Sequence, residues 1–511
     1  MELLAIPLVL AAAVLALHLM FRPPPLDGRT RSVAVPLSHD TRLGRLVLTA
    51  APHHPHDSGV VALDDGRDAF AARVALIRES ERALDIQYYI WQRDLTGMLL
   101  MDELRRAAAR GVRIRLLLDD NGVPGLDAHL AELDSVPGIE VRLFNPFILR
   151  RPKVLGFLFD FVRLNRRMHN KLLVADGAAA ILGGRNVGDV YFAFGPGRHN
   201  LDSDVLAIGQ VANEAGADFD RYWASQSAYP ARLILPKPKA EGVIDRELAT
   251  ACAHPDAVAY RKAVAERPRM HDIATGRTSF VWAPVTLISD DPVKGLGRVP
   301  AQDLMIARLA EMLANPARSV DIVSPYFVPG RRFTRRLVQL AAEGCRVRVF
   351  TNSQEATNQL VVHSAYVKYR PALIDGGVQL YEMRASPDRP PEPRTTGSSA
   401  SHESLHSKTV SVDDERLFIG SFNFDPRSVF LNTEMGVLID SPQVARAMTE
   451  MLDETLPAFS YAPARNAKGR IVWREQTADG PEIERIREPG ARARSRATLW
   501  LMGRLPIEWL L

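Results

Sequence analysis

Cysteine is almost missing from this chain. Cys252 and Cys345 are the only two in 511 residues. They make no disulfide framework, match no metal-binding spacing and fix no redox compartment. Cys345 lies in an apolar run and reads as a small core residue. Strong charge is missing as well: a formal net charge of +4 is too mild to argue for a nucleic-acid partner. What the chain does have is length, enough for two or three domains with full cores.

It also has a long apolar run near its start. Leu3 to Phe21 is 19 positions broken only by Pro7 and His18, about the length that spans a bilayer. No Lys or Arg precedes the run, no small-x-small cleavage site follows it, and Arg22-Pro23-Pro24-Pro25 ends it abruptly. This reads as an uncleaved membrane anchor over residues 1–30, with a removed signal peptide as the competing reading. Glu2 precedes the run while Arg22, Arg29 and Arg31 follow it, so the positive-inside rule favours the cytoplasmic side for the remainder.

The most informative feature is a polar motif that occurs twice. The first copy is His169-Asn170-Lys171, then Asp176, Gly183-Gly184 and Asn186; the second is His406-Ser407-Lys408, then Asp413, Gly420-Ser421 and Asn423. Each His, Lys and Asp is separated from its copy by 237 positions. Fixed offsets across five polar or glycine positions indicate a duplicated domain with a site built twice.

The duplication extends upstream. Ala83-Leu84-Asp85-Ile86 is echoed by Ser319-Val320-Asp321-Ile322, and Gly111-Val112-Arg113-Ile114-Arg115 by Gly344-Cys345-Arg346-Val347-Arg348. Each run reads as a strand following an amphipathic helix, marked by Phe70, Val74 and Ile77 in one half and Met305, Leu309 and Met312 in the other. Each half is therefore an α/β unit, a sheet covered by helices. Composition shifts and helix starts put the halves at 55–235 and 270–462, a proline-broken connector at 236–269 and a tail at 463–511. The stretch Ala385 to Ser401, rich in Pro, Ser, Thr and Gly, reads as a mobile loop shortly before the second motif.

A His and a Lys one residue apart on a strand point to the same face. The imidazole can attack phosphorus or move a proton, and the ammonium can hold a phosphoryl oxygen. The glycine turn lets backbone approach closely, and the Asn beyond it can donate to another phosphate oxygen. The motifs thus nominate His169, His406, Lys171, Lys408, Asp176 and Asp413 as the catalytic set, supported at the phosphate by Asn186, Asn423, Gly184 and Ser421. Within that set Asp176 and Asp413, past the strand, take the structural task of holding the loop. His18, His54 and His199 lack such company, and His53-His54-Pro55-His56-Asp57 reads as a solvated segment instead of a metal tract.

The paired motif resembles that of the phospholipase D superfamily over nearly the whole chain. Ile86-Gln87-Tyr88-Tyr89-Ile90-Trp91, Arg167-Met168-His169-Asn170-Lys171, Gly183-Gly184-Arg185-Asn186-Val187-Gly188-Asp189, Gly420-Ser421-Phe422-Asn423-Phe424-Asp425-Pro426-Arg427-Ser428 and the ending Leu505 to Leu511 are similar to bacterial cardiolipin synthases of the C type. The resemblance implies two pseudo-twofold-related domains, each a mixed sheet flanked by helices, with one active site between them. It implies a phosphohistidine intermediate, with His169 as nucleophile and His406 as acid/base, and no metal or nucleotide cofactor. It also implies an acidic residue orienting each imidazole: Glu434 for the second half and Asp204 for the first, with Asp202 as the alternative.

The substrates implied are phospholipids, phosphatidylglycerol foremost and phosphatidylethanolamine second, at a bacterial inner membrane; no nucleic acid is expected and the need for a helper protein is left open. The run Phe147 to Phe159, aromatic and aliphatic with Arg150, Arg151 and Lys153 interleaved, suits the interface of anionic lipid or else a core helix with basic ends. Asp189, Tyr191 and Phe192 are candidates for the acceptor side. Transfer of a phosphatidyl group to a second lipid's hydroxyl is the first reading. Hydrolysis in the same pocket and an inactive membrane scaffold are the others.

Overall fold

Hydrophobic period decides the elements. Phe70, Val74 and Ile77 are all buried on helix Gly66–Glu79, and Met305, Leu309 and Met312 on helix Met305–Met312, as their spacing predicts. Asp65 caps the first of these helices, its carboxylate accepting the N–H groups of Arg67 and Asp68. The computed structural model describes residues 2–50, 54, 56–194, 199–237, 242–253, 257–258, 279–312, 314–385, 403–477, 480–491, 502–503 and 508–510. The expected loop at 385–401 lies outside them from residue 386, as does most of the connector.

The first half contributes strands β1 (Ser58–Leu63), β2 (Ala83–Tyr88), β3 (Arg113–Asp119), β4 (Ile139–Phe144), β5 (Leu172–Ala175), β6 (Ala179–Gly183), β7 (His199–Leu201), β8 (Asp204–Gly209), β9 (Ala228–Pro230) and β10 (Val281–Ala283). The second contributes β11 (Val285–Ser289), β12 (Ser319–Val323), β13 (Arg346–Asn352), β14 (Gln379–Met383), β15 (Glu403–Leu405), β16 (Thr409–Val412), β17 (Arg416–Gly420) and β18 (Met435–Asp440). It continues through β19 (Ser460–Arg465), β20 (Ile471–Thr477) and β21 (Gly480–Arg485).

One sheet runs β10-β1-β8-β6-β5-β2-β3-β4-β9 and the other β11-β18-β17-β16-β12-β13-β14-β19-β20-β21. The six strands β8-β6-β5-β2-β3-β4 therefore correspond one for one to β18-β17-β16-β12-β13-β14. In both sets three strands are parallel and the motif hairpin adds antiparallel. The duplication read from the motif is a duplication of the whole sheet.

The sheets share a central apolar core. Met168, Leu172, Leu182 and Val205 from the first half pack in one cluster with Val323, Leu405, Ile419 and Val437 from the second. Outer clusters fill the space between each sheet and its own helices. A small parallel pair, β7 with β15, stitches the halves directly. The sheets meet at Pro284, between β10 and β11, because β10 pairs with β1 of the first sheet. The second sheet runs on to Arg485, through residues expected to be tail.

The apolar run at the N-terminus folds as a helix, Glu2–Met20, the side chains of residues 1–6 and 8 being outside the described set. Among the described residues no helix is long and apolar enough to cross a membrane. The end of this helix touches the first half: the His18 Nδ1 lies 2.9 Å from the Phe159 carbonyl oxygen, and Phe21 stacks on Phe159 at 5.3 Å.

Candidate active site

Each His-x-Lys triplet sits where the chain leaves the seam between halves and enters its own sheet, just before β5 and β16. The Lys171 ammonium folds back to donate to the His169 carbonyl at 2.5 Å, and Lys408 donates to the His406 carbonyl in the same way. Each lysine therefore folds back on its own histidine, but the triplets precede their strands and do not lie on them as the sequence reading expects, so strand alternation is not what pairs them. Both imidazoles are buried, with 6% and 7% of their residue surface exposed.

What orients the imidazoles comes from the opposite half. The His169 N–H donates to the Thr433 carbonyl at 2.9 Å, and its Nδ1 meets the Glu434 carboxylate at 2.8 Å. The His406 N–H donates to the Leu201 carbonyl at 2.7 Å, and its Nδ1 meets the Asp202 carboxylate. In both cases the carboxylate belongs to the residue directly after the one whose carbonyl takes the histidine's own N–H. Glu434 and Asp202 are therefore equivalent, and the site has a crossed, pseudo-twofold construction.

That equivalence corrects Asp204. Its carboxylate faces the other way at the start of β8, against Arg73 at 2.8 Å and Arg185 at 3.0 Å, fully buried. Asp202 precedes the strand and so reaches the seam. The reason Asp202 can approach is Gly184, where an added Cβ would stand 2.2 Å from Asp202 Oδ1. Its counterpart Ser421 keeps a side chain and uses it, donating to Glu434 Oε2 at 2.5 Å. Ser428 donates to Glu434 Oε1 at 2.8 Å. Gly184 and Ser421 thus serve the carboxylates behind the imidazoles, a role the motif did not disclose.

The motif aspartates are not at the reacting centre. Asp176 accepts the N–H groups of Glu81, Arg82 and Ala83 at 3.0, 2.9 and 2.9 Å. Asp413 accepts those of Ala317, Arg318 and Ser319 at 2.8, 2.6 and 2.9 Å. Both hold left-handed backbone, with φ of 53° and 58°, a conformation Asp tolerates in turns. Each pins the loop that starts β2 or β12 to the far end of the motif strand. Their grouping as catalytic is corrected, and their loop-holding task is what the contacts display.

Asn186 accepts the Ile90 N–H at 3.1 Å, and its amide adjoins the Tyr191 hydroxyl. Asn423, its counterpart in the second copy, is buried as well, its N–H donating to Ser428 Oγ at 3.3 Å. Of the acceptor-side candidates only Tyr191 reaches the site, its ring edge-on to His406 at 5.2 Å. Asp189 instead binds the Thr96 N–H at 2.8 Å, and Phe192 packs on Phe70. Tyr89 stands edge-on to His169 at 5.0 Å, a neighbour that its place in the sequence does not signal. His54 stacks on Trp282 at 4.5 Å. Among the described residues no three His, Cys, Asp or Glu side chains are placed to hold a metal ion.

Electrostatics join the two clusters into one site. Burial pushes His169 well below the ordinary imidazole value, and Lys171 and the opposite half's Lys408 push it further. Burial lowers His406 to about 4, Lys408 and Lys171 adding to the effect and Asp202 opposing it. Burial also lowers both lysines. The carboxylates diverge. Burial raises Glu434 to about 7 against the pull of Lys171, whereas at Asp202 the same burial is outweighed by Lys408 and His406, which bring it to about 2. Neutral pH therefore finds His406 facing a full negative charge and His169 facing a carboxyl near its midpoint. An arriving phosphodiester anion would offset the lysines and raise both imidazoles.

Comparison with known proteins places this geometry. Residues 74–223 and 309–456 match the family described as "Cardiolipin synthase, PLD-like domain". The chain is 41% identical over 473 residues to cardiolipin synthase C of Escherichia coli, covering 92% of this chain and 100% of the relative. It is 26% identical to a cardiolipin synthase of Staphylococcus aureus strain Mu50, covering 82% of this chain and 71% of that one. The fold is similar to the crystal structure of phosphatidylserine synthase from Haemophilus influenzae, with a TM-score of 0.57 at 14% identity over 91% of this chain and all of that one.

Proposed function

The chain belongs to the cardiolipin synthase family of phospholipase D-like phosphatidyltransferases, and from that premise we propose that it joins two phospholipids by way of a phosphohistidine. His169 Nε2 attacks the donor's phosphorus, forming a P–N bond as the P–O bond to the headgroup alcohol breaks. His406, which takes up a proton as the arriving anion offsets the lysines and raises its basicity, gives that oxygen its proton. The acceptor lipid's hydroxyl then returns a proton to His406 and its oxygen displaces His169, forming a new P–O bond and restoring both imidazoles. Phosphatidylglycerol is the expected acceptor, with phosphatidylglycerol or phosphatidylethanolamine as donor.

The observation that carries this reading is the crossed support of the histidines. An imidazole that must become imidazolium is best served by an ionised partner, and Asp202 is held ionised beside His406. His169, whose partner Glu434 sits near its midpoint and whose own basicity burial depresses, stays neutral and keeps a lone pair for phosphorus. Lys171 and Lys408, short of hydration, gain most from a phosphoryl oxygen.

Work at a membrane surface fits one further feature. Val154, Leu158 and Val162 are 66%, 67% and 69% exposed on the segment that leads into the first motif. Phe161 beside them and Phe430 across the seam are exposed as well, and the Phe430 carbonyl accepts from Arg166 at 3.0 Å. An apolar rim next to the cleft suits a substrate that stays in its bilayer. His169→Ala and His406→Ala should each abolish product while the protein stays folded. Vesicles of phosphatidylglycerol alone, phosphatidylethanolamine alone and both together, analysed by mass spectrometry, would separate transfer from hydrolysis. Synthesis retained in either variant would remove the covalent mechanism.

A further inference from the structure

The residue preceding each catalytic histidine is held by the last side chain of an inner strand, and the two halves do this with different chemistry. Asp119 ends β3 and accepts the Met168 N–H at 2.9 Å; Asn352 ends β13 and accepts the Leu405 N–H at 3.0 Å. Asp119 and Asn352 occupy corresponding positions of corresponding strands, and Met168 and Leu405 are the same motif position. Both are buried, at 0% and 3% exposure.

The choice of Asp or Asn follows the residue one place further back. The first half has Arg167 there, and its guanidinium grips Asp119 at 2.6 and 2.9 Å. That arginine also donates to the carbonyls of Asn145, Leu164 and Phe144. The second half has Ser404 at the corresponding position, too short to reach; it donates to the Ala356 carbonyl instead. Without a cation a buried carboxylate would stand uncompensated. An amide solves this: Asn352 accepts from Leu405 and also donates to the Leu405 and Pro325 carbonyls at 2.9 and 3.3 Å.

We propose that Asp119 and Asn352 are the positioning residues of the two histidines, an ion-pair clamp on one side and a neutral clamp on the other. The backbone is then fixed three times in succession. The residue before the histidine is tied to its own sheet, the histidine's N–H to the opposite half, and the histidine's carbonyl to its own lysine. Neither histidine's backbone can shift without breaking one of these, so the clamp and the carboxylate behind each ring together fix where the imidazole stands. The neutral clamp also has an electrostatic consequence. His406 already faces Asp202, Tyr191 and Lys171 from the first half and Lys408 from its own, and Asn352 adds no second negative charge beside it.

This rests on the roles proposed for His169 and His406, and the test separates the two. Asn352→Ala removes both bonds to residue 405 and should lower kcat about 10²-fold with KM nearly unchanged, the effect of a displaced catalytic group. Asn352→Asp keeps the acceptor but turns a carboxylate with no cation beside it on the Leu405 and Pro325 carbonyls, so it should recover only part of that loss and lower Tm, while its charge moves the His406 titration and the pH–rate profile upward. Asp85→Asn cuts the equally buried Asp85–Arg115 pair on the first sheet and should lower Tm while leaving the pH profile in place. A kcat for Asn352→Ala within threefold of wild type overturns the clamp, and so does an Asn352→Asp protein as stable and as active as wild type with an unshifted profile. NMR titration of His406 in Asn352→Asp reads the clamp even if His406→Ala keeps activity, which would sink the mechanism alone.

Discussion

Gly184 lies beneath Asp202 so closely that a methyl group on it would stand 2.2 Å from the carboxylate oxygen. The contact comes from backbone placed under a fixed side chain, and only a residue without Cβ permits it. Gly184→Ala should therefore displace Asp202 from His406 and lower kcat about 10²–10³-fold, while overpacking costs about 1–3 kcal/mol of stability. Activity and thermal unfolding measured on the same preparation check it. A variant with wild-type kcat would mean that Asp202 does not orient His406.

Asp202 and Asp204 should part company on mutation. Asp202→Asn keeps the shape but removes the charge facing His406, so kcat should fall about 10³–10⁴-fold with little change in Tm. Asp204→Asn strands the buried Arg73 and Arg185 guanidiniums and should destabilise by about 3–5 kcal/mol. If Asp204→Asn stays stable and loses only turnover, the assignment between the two is reversed.

That pair also marks where sequence reading stops. Strand and helix identity were legible because alternation and helical spacing are local, and Phe70, Val74 and Met305 sit where period alone puts them. The site's doubled character was legible because the motif repeats at one offset. Which half orients which histidine was not, since the crossing at Thr433 and Leu201 exists only once two sheets face each other. Spacing from His to carboxylate differs between halves, so it left Asp202 and Asp204 open. Tyr89 and Ser428 give no local signal of their own. The hold of Phe159 on Phe21 and His18 is likewise a contact between distant segments that composition does not register.

Protonation gives opposing stability trends that can be separated. His406 titrates near 4 in the folded chain against an ordinary 6.5, so the unfolded chain takes up the proton first. Stability from this group is whole above pH 6.5 and is lost as pH falls toward 4, about 3 kcal/mol in all. Glu434 is raised to about 7 from 4.5, so the unfolded chain releases its proton first. This group's cost grows from pH 4.5 to 7, again by about 3 kcal/mol. His406→Gln should flatten the acid side of a stability profile, and Glu434→Gln should gain stability at pH 8 while losing turnover. Denaturant unfolding from pH 4 to 8 reads both; parallel profiles for wild type and both variants would refute the assignment.

Asp176 and Asp413 make the sharpest separation of stability from chemistry, because they carry motif identity without approaching phosphorus. Each carboxylate takes three successive backbone N–H groups, and two neighbouring strands depend on that turn. Removing one leaves buried donors unsatisfied, at about 2–4 kcal/mol. Asp176→Ala should thus lower Tm by several degrees, and at a temperature where the variant remains folded its kcat should lie within about threefold of wild type. Asp413→Ala should behave alike, with a smaller loss, since its carboxylate is nearer solvent than that of Asp176. Turnover measured well below each variant's melting point decides it. A kcat reduced a hundredfold in a fully folded Asp176→Ala protein would return this residue to the reacting centre, and the loop-holding account of the contacts to Glu81, Arg82 and Ala83 would fall.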